Sequence, residues 1–237
     1  MRDRLQILFH KILNPVVRIF IAMGLSPNAL TTIGLILNIA AAVIFIIGGE
    51  KGERLDLSYI GWGGAMIIFA GVFDMIDGQV ARLGKTSSRF GALYDSVIDR
   101  YSELIMFLGI CYYLVSQNYF FSSLIAFIAL IGSVMVSYTR ARAEGLGIPC
   151  KEGLMQRPER VITISLFAII CGIVGSYTGG NQKWEFNILG FNGIETIAVF
   201  TIPLAIVALL ANYTAIQRLI SCYNYLQEKD RKDSIIN

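Results

Sequence analysis

The chain has 237 residues, 55% of them hydrophobic and 16% charged, with a net charge of +3 and a mean hydropathy of +0.61. That composition excludes an ordinary soluble domain and points to a membrane protein, with no nucleic-acid partner expected. The four cysteines (Cys111, Cys150, Cys171, Cys222) are scattered without a C-x-x-C pair, so neither a disulfide framework nor a zinc site is implied.

Residues 1–22 read as a juxtamembrane amphipathic helix lying in the interface. Arg4, Lys11 and Arg18 recur every seven residues and share one face, while Leu5, Leu8, Ile12 and Ile19 cover the other. His10, Lys11 and Pro15 interrupt any apolar core and no small-residue cleavage site follows, so the segment is taken as part of the mature protein. In "LSPN", Ser26 suits a helix cap and Pro27 a first turn, which starts the first span there.

Residues 23–237 are then expected to form one domain of six spans: Ala29 to Ile47, Tyr59 to Phe73, Leu104 to Val115, Tyr119 to Val136, Val161 to Tyr177 and Ile194 to Ile216. A helix needs roughly 20 residues to cross the hydrocarbon core. The second and third runs reach that length only if their helices continue through an acidic stretch between them. The outer loops are short and Gly-rich, the inner loop "RARAEGLGIPCKEGLMQRPER" is basic, and the tail "SCYNYLQEKDRKDSIIN" is expected to fray.

With a cytosolic N-terminus, 17 of the 20 basic residues fall on the cytosolic side and only Lys51, Arg54 and Lys183 outside. The fold class is therefore an all-α, multi-pass membrane protein with both termini and the acidic loop cytosolic. The lack of an organelle signal reads as prokaryotic, hence the cell (inner) membrane.

The stretch "FDMIDGQVARLGKTSSRFGALYDSVIDR", residues 73–100, carries the chemistry. Asp74 and Asp77 are three apart and Asp95 and Asp99 four apart, so each pair projects from one helical face. The short loop between them makes the two helices antiparallel neighbours, and the four carboxylates can converge. An ionised Asp at the bilayer centre costs about 2.5 to 3.5 kcal/mol on insertion scales, so four need water, arginines or metal. Oxygen donors without histidine favour Mg²⁺ or Mn²⁺, and two such ions suit phosphoryl transfer. Gly78, Ala81 and Gly91 would let a substrate approach the backbone, and Arg82 could grip a phosphate. Intramembrane salt bridges to Arg82, Arg89 and Arg100 are the plainer alternative.

The string Asp74-x-x-Asp77-Gly78-x-x-Ala81-Arg82, eight residues, then Gly91-x-x-x-Asp95-x-x-x-Asp99 resembles in full the signature of the CDP-alcohol phosphatidyltransferases. The resemblance implies a homodimer with a polar cavity open to the cytosol. Such an enzyme moves a phosphatidyl group from CDP-diacylglycerol to an alcohol and releases CMP, using two Mg²⁺ per site, with Mn²⁺ as an alternative. It would make Asp74 and Asp95 ligands of both metals, Asp77 a ligand of one, and Asp99 a ligand of the other and the general base. Gly78, Arg82 and Ser88 would contact the CDP part, although Ser88 also reads as a plain loop serine. Asn28, Ala29, Leu30 and Thr31 resemble the family's nucleotide-contacting start of the first span.

The acceptor must be read elsewhere. Residues 137–162 hold Arg140, Arg142 and Arg160, and Arg218 ends the last span; together they could surround a phosphomonoester. A purely topological role for these charges is the alternative. The "RARAEGLG", "RPER" and "QRL" segments resemble the phosphatidylinositol-phosphate synthase branch, which implies inositol phosphate as acceptor, bound by those four arginines. Glycerol 3-phosphate is the close rival within the family. A cation or proton transporter is the rival from another class, disfavoured because the acids cluster toward one face.

Overall fold

The computed structural model describes residues 13–150, 153–188 and 191–236. Helix α1 covers Leu13–Ala22. It is followed by α2 (Pro27–Lys51), α3 (Ser58–Leu83), α4 (Arg89–Ser116), α5 (Phe120–Gly145) and α6 (Arg157–Thr178), then strands β1 (Lys183–Ile188) and β2 (Phe191–Glu195) and helix α7 (Ala198–Ile236).

Local chemistry sets most of these boundaries. The Ser26 hydroxyl accepts from the Ala29 amide at 3.2 Å and Pro27 occupies the first turn, so α2 begins where "LSPN" predicts. Ser88 caps α4 in the same way, accepting from the Gly91 amide at 2.9 Å. Gly179, at φ 74°, closes α6 in the left-handed conformation that glycine tolerates.

Three expectations need correction. The loop "SYTGGNQKWEFNILGFNG" is not irregular: β1 and β2 pair antiparallel, with Lys183 opposite Glu195 and Ile188 opposite Phe191. The tail stays helical to Ile236 instead of fraying. Among the described residues, five of the six expected spans (α2, α3, α5, α6, α7) are helices long and apolar enough to cross a membrane. Helix α4, 28 residues long, falls outside that set because Arg89, Asp95, Asp99, Arg100 and Glu103 crowd its first half. Finally, α3 and α4 are not packed neighbours: both lean on α2 and barely touch each other. Glycines explain this choice. A methyl added at Gly109 of α4 would lie 2.7 Å from the Ala42 Cα, and one at Gly63 of α3 would lie 2.5 Å from the Phe45 ring. Each helix therefore presses its backbone onto α2.

Elsewhere α3 packs on α6 and α5 on α7. The core between them gathers Phe45, Ile60, Phe107, Tyr113, Phe200 and Leu204. Helix α1 joins a second cluster through Val17, Phe20 and Ile21, against Leu30 of α2 and Ile76 and Val80 of α3. Arg18 faces outward; Arg4 and Lys11, the other members of its seven-residue spacing, lie outside the described residues. The outer surface is apolar, with Phe121 at 80% and Leu209 at 72% exposure, as expected for side chains solvated by lipid. All four cysteines are free. Cys150, in the inner loop, is buried beside Cys222, and burial first and then that neighbouring thiol push its own thiol up.

Candidate active site

Asp74 comes from α3, and Asp95 and Asp99 from successive turns of α4. One carboxylate oxygen from each lies within 4.8 Å of the others. Both helices pack on α2, which presents little bulk beside the acids. A methyl added at Gly34 of α2 would sit 3.7 Å from the Asp74 carboxylate. The fourth acid, Asp77, stands apart from the trio. It is 5% exposed, and Thr31 of α2 donates to its Oδ2 at 2.6 Å.

A residue that the sequence did not single out occupies the middle of the trio. Arg157, the first residue of α6, donates through Nη1 to Asp74 and places Nη2 2.9 Å from Asp99 Oδ1. The second contact is a close charge pair without hydrogen-bond alignment, since Asp99 Oδ1 and Arg157 Nε are both buried and lack hydrogen-bond partners. Arg100 stands 3.8 Å from the other Asp99 oxygen. The only hint in the sequence is that Pro158 pins Arg157 to a helix start.

One turn deeper lies a second acid–arginine pair. Arg160 is fully buried; its Nε and Nη2 donate to the two oxygens of Glu103, at 2.9 and 3.1 Å, and its Nη1 donates to the Met155 carbonyl at 2.9 Å. Ser133 of α5 adds a 2.5 Å bond to Glu103. Arg160 was expected to bind the acceptor. Its three donating nitrogens are instead committed to protein, and it clamps α6 to α4 beneath the cluster.

Two cavities flank the acids. The first, about 580 Å³, is lined by Asn28, Thr31, Asp77, Gly78, Arg82 and Ser88 among others. The Arg82 guanidinium folds back over Gly78, and Gly91 faces both Ser88 and Asn28. Of the "NALT" residues, Leu30 is fully buried in the core under α1, and Ala29 offers its amide to Ser26, so neither lines this cavity. The second cavity, about 330 Å³, is lined by Asp99, Arg100, Arg140, Arg157 and Arg218. Asp95 borders both. Arg140 pairs with Glu144 at 2.9 Å, and Arg218 donates to the Val136 carbonyl at 2.7 Å. Arg142, also expected here, is exposed and outside the lining. The reason is helical phase, since residues two apart point to opposite sides.

The donor set fits a hard divalent cation. It is all oxygen, it carries more negative than positive charge, and it includes a buried Asp99 oxygen without a hydrogen-bond donor.

Comparison with known proteins agrees with this geometry. The family model of CDP-alcohol phosphatidyltransferase matches residues 24–222. The phosphatidylinositol phosphate synthase of Streptomyces avermitilis is 32% identical over 225 residues, covering 94% of this chain and 82% of its own. That of Corynebacterium glutamicum is 29% identical over 211 residues, covering 88% and 83%. The crystal structure of the Mycobacterium tuberculosis phosphatidylinositol phosphate synthase with CDP-DAG bound superposes with a TM-score of 0.71 at 25% identity, covering 90% of this chain and 94% of that one. The same enzyme in complex with manganese and citrate gives 0.68, covering 88% of both chains. Signature, fold and match extend over the same helices, and the chain belongs to the CDP-alcohol phosphatidyltransferase family.

Proposed function

We propose that this enzyme transfers a phosphatidyl group from CDP-diacylglycerol to a myo-inositol phosphate, releasing CMP and forming phosphatidylinositol phosphate. The observation that carries the reading is the pair of cavities meeting at Asp95, one along the signature residues and the other lined by arginines. The relatives named phosphatidylinositol phosphate synthase support the choice of acceptor.

Asp74, Asp95 and Asp99 would hold divalent metal, with Asp77 beside them on the next turn of α3. When bound, Mg²⁺ or Mn²⁺ supplies charge neutralisation of the diphosphate and of the oxygen that leaves. The remaining work falls to the chain. Asn28, Gly78, Arg82 and Ser88 bind and orient the CDP moiety, with the small Gly78 and Gly91 leaving room for it. Arg140 and Arg218 hold the acceptor's phosphate, so that its ring hydroxyl faces the phosphorus of the phosphatidyl group. Asp99 takes the hydroxyl proton as the new O–P bond forms and the bond to CMP breaks. Positioning of this kind accounts for much of the rate in phosphoryl transfer.

The same reading places six spans in the inner membrane, with α4 as the sixth and its charged half at the cytosolic mouth. Both termini lie inside, and two chains pair as a homodimer. The test is CMP release by purified protein in detergent with CDP-diacylglycerol and Mg²⁺, offered inositol 1-phosphate, free inositol or glycerol 3-phosphate separately. Turnover with inositol 1-phosphate alone is expected. Preference for glycerol 3-phosphate would keep the transfer chemistry and overturn the acceptor.

A further inference from the structure

We propose that Arg157 is a resident cation of the carboxylate cluster that divalent metal displaces, and that the displaced guanidinium then binds the acceptor's phosphate in the neighbouring cavity. The inference rests on the proposed transfer only for the nature of the acceptor. It makes metal loading the event that arms the acceptor site.

Three observations carry it. The guanidinium reaches both Asp74 on α3 and Asp99 on α4, which puts its charge where metal ligands converge. The fit is poor, because Arg157 Nε and Asp99 Oδ1 are buried without hydrogen-bond partners. Buried polar atoms left in that state favour any arrangement that satisfies them. Arg157 also lines the 330 Å³ cavity beside Arg140 and Arg218, so a change of side-chain torsion is enough to turn it from one partner to the other. Its backbone need not move, being pinned by Pro158 on one side and by the Arg160–Glu103 clamp one turn on.

Charge supplies the switch. Without metal, Asp74 and Asp99 hold the guanidinium, with Asp95 of the same cluster beside them. Divalent ions bound among these carboxylates offset their negative charge and repel the guanidinium, and the attraction is lost. A phosphomonoester in the adjoining cavity is then the strongest anion within reach, and the arginine fork matches it. Metal and acceptor binding are thereby coupled, and the coupling is reciprocal.

The test is a titration of the purified full chain in detergent with Mn²⁺, following free Mn²⁺ by electron paramagnetic resonance, with no lipid, nucleotide or acceptor present. Arg157→Gln is expected to bind Mn²⁺ at least about fivefold more tightly than the wild type. Equal or weaker binding overturns the displacement. Arg157→Lys keeps the charge and should return Mn²⁺ affinity toward the wild-type value; behaviour like the Gln variant would trace the effect to packing and overturn the proposal. A second measurement needs no variant. Calorimetric titration of the wild type with inositol 1-phosphate is expected to show at least about fivefold tighter binding in Mn²⁺ than in EDTA. Equal binding in the two buffers overturns the link to the acceptor. If glycerol 3-phosphate is the acceptor that supports CMP release, it replaces inositol 1-phosphate in this arm, and the Mn²⁺ titration stands unchanged.

Discussion

Thr31 and Glu103 are single side chains on which the acid cluster depends, and neither is one of the signature residues. The Thr31 hydroxyl is the donor to the buried Asp77 carboxylate. Thr31→Val keeps the shape and removes the donor, at a cost of about 1–3 kcal/mol for an acceptor left unsatisfied. Its expected outcome is a lower melting temperature and a higher Mg²⁺ requirement for CMP release, with Thr31→Ser close to the wild type. Glu103 faces an arginine with no exposure at all. Glu103→Ala strands that charge, which costs about 3–5 kcal/mol, and the variant should elute as aggregate in size-exclusion chromatography. A monodisperse Glu103→Ala protein with unchanged melting would remove the pair from its clamping role. The aspartates could be found from spacing alone, because three- and four-residue intervals fix a helical face. The partner of Arg160 could not, since Glu103 lies 57 positions away and nothing in a linear pattern joins them. The same helical phase that unites the acids separates Arg142 from Arg140.

Helix ends were legible because capping is local: Ser26, Pro27 and Ser88 act on amides within three residues. Helix neighbours were not, because the partner of a glycine is chosen in space. The closest approach of one helix backbone to another at these glycines joins α3 to α6, where a methyl added at Gly172 would lie 2.6 Å from the Gly61 Cα. Backbone meets backbone there, and neither side can yield by rotating a side chain. Gly172→Ala should force the helices apart and lower stability by about 1–3 kcal/mol. Because Asp74 rides on α3 and Arg157 on α6, the same variant should weaken their ion pair, and its Mn²⁺ affinity should move in the direction of Arg157→Gln. Intact melting behaviour in Gly172→Ala would show that the contact is looser than the backbone distances imply. The hairpin is not legible in the sequence because its glycines suggest a loop, while the strand formers in "KWEFNI" and "FNGIE" are short and interrupted.

At the scale of the molecule, composition was enough to assign a membrane protein, and the bias of basic residues predicts its orientation. Glu53, between α2 and α3, and Lys85, between α3 and α4, lie in loops expected on opposite sides of the membrane. In intact cells, an impermeant maleimide should label Glu53→Cys and spare Lys85→Cys; the reverse pattern would invert the topology. The two cavities that share Asp95 have a kinetic consequence. With one substrate in each cavity, as proposed, neither has to vacate the centre before the other arrives, and both would be seated when the bond changes hands. Initial rates should give intersecting double-reciprocal lines, without the parallel lines of a phosphatidylated enzyme intermediate. A chiral thiophosphate at the transferred centre should emerge with its handedness inverted, as one direct displacement requires.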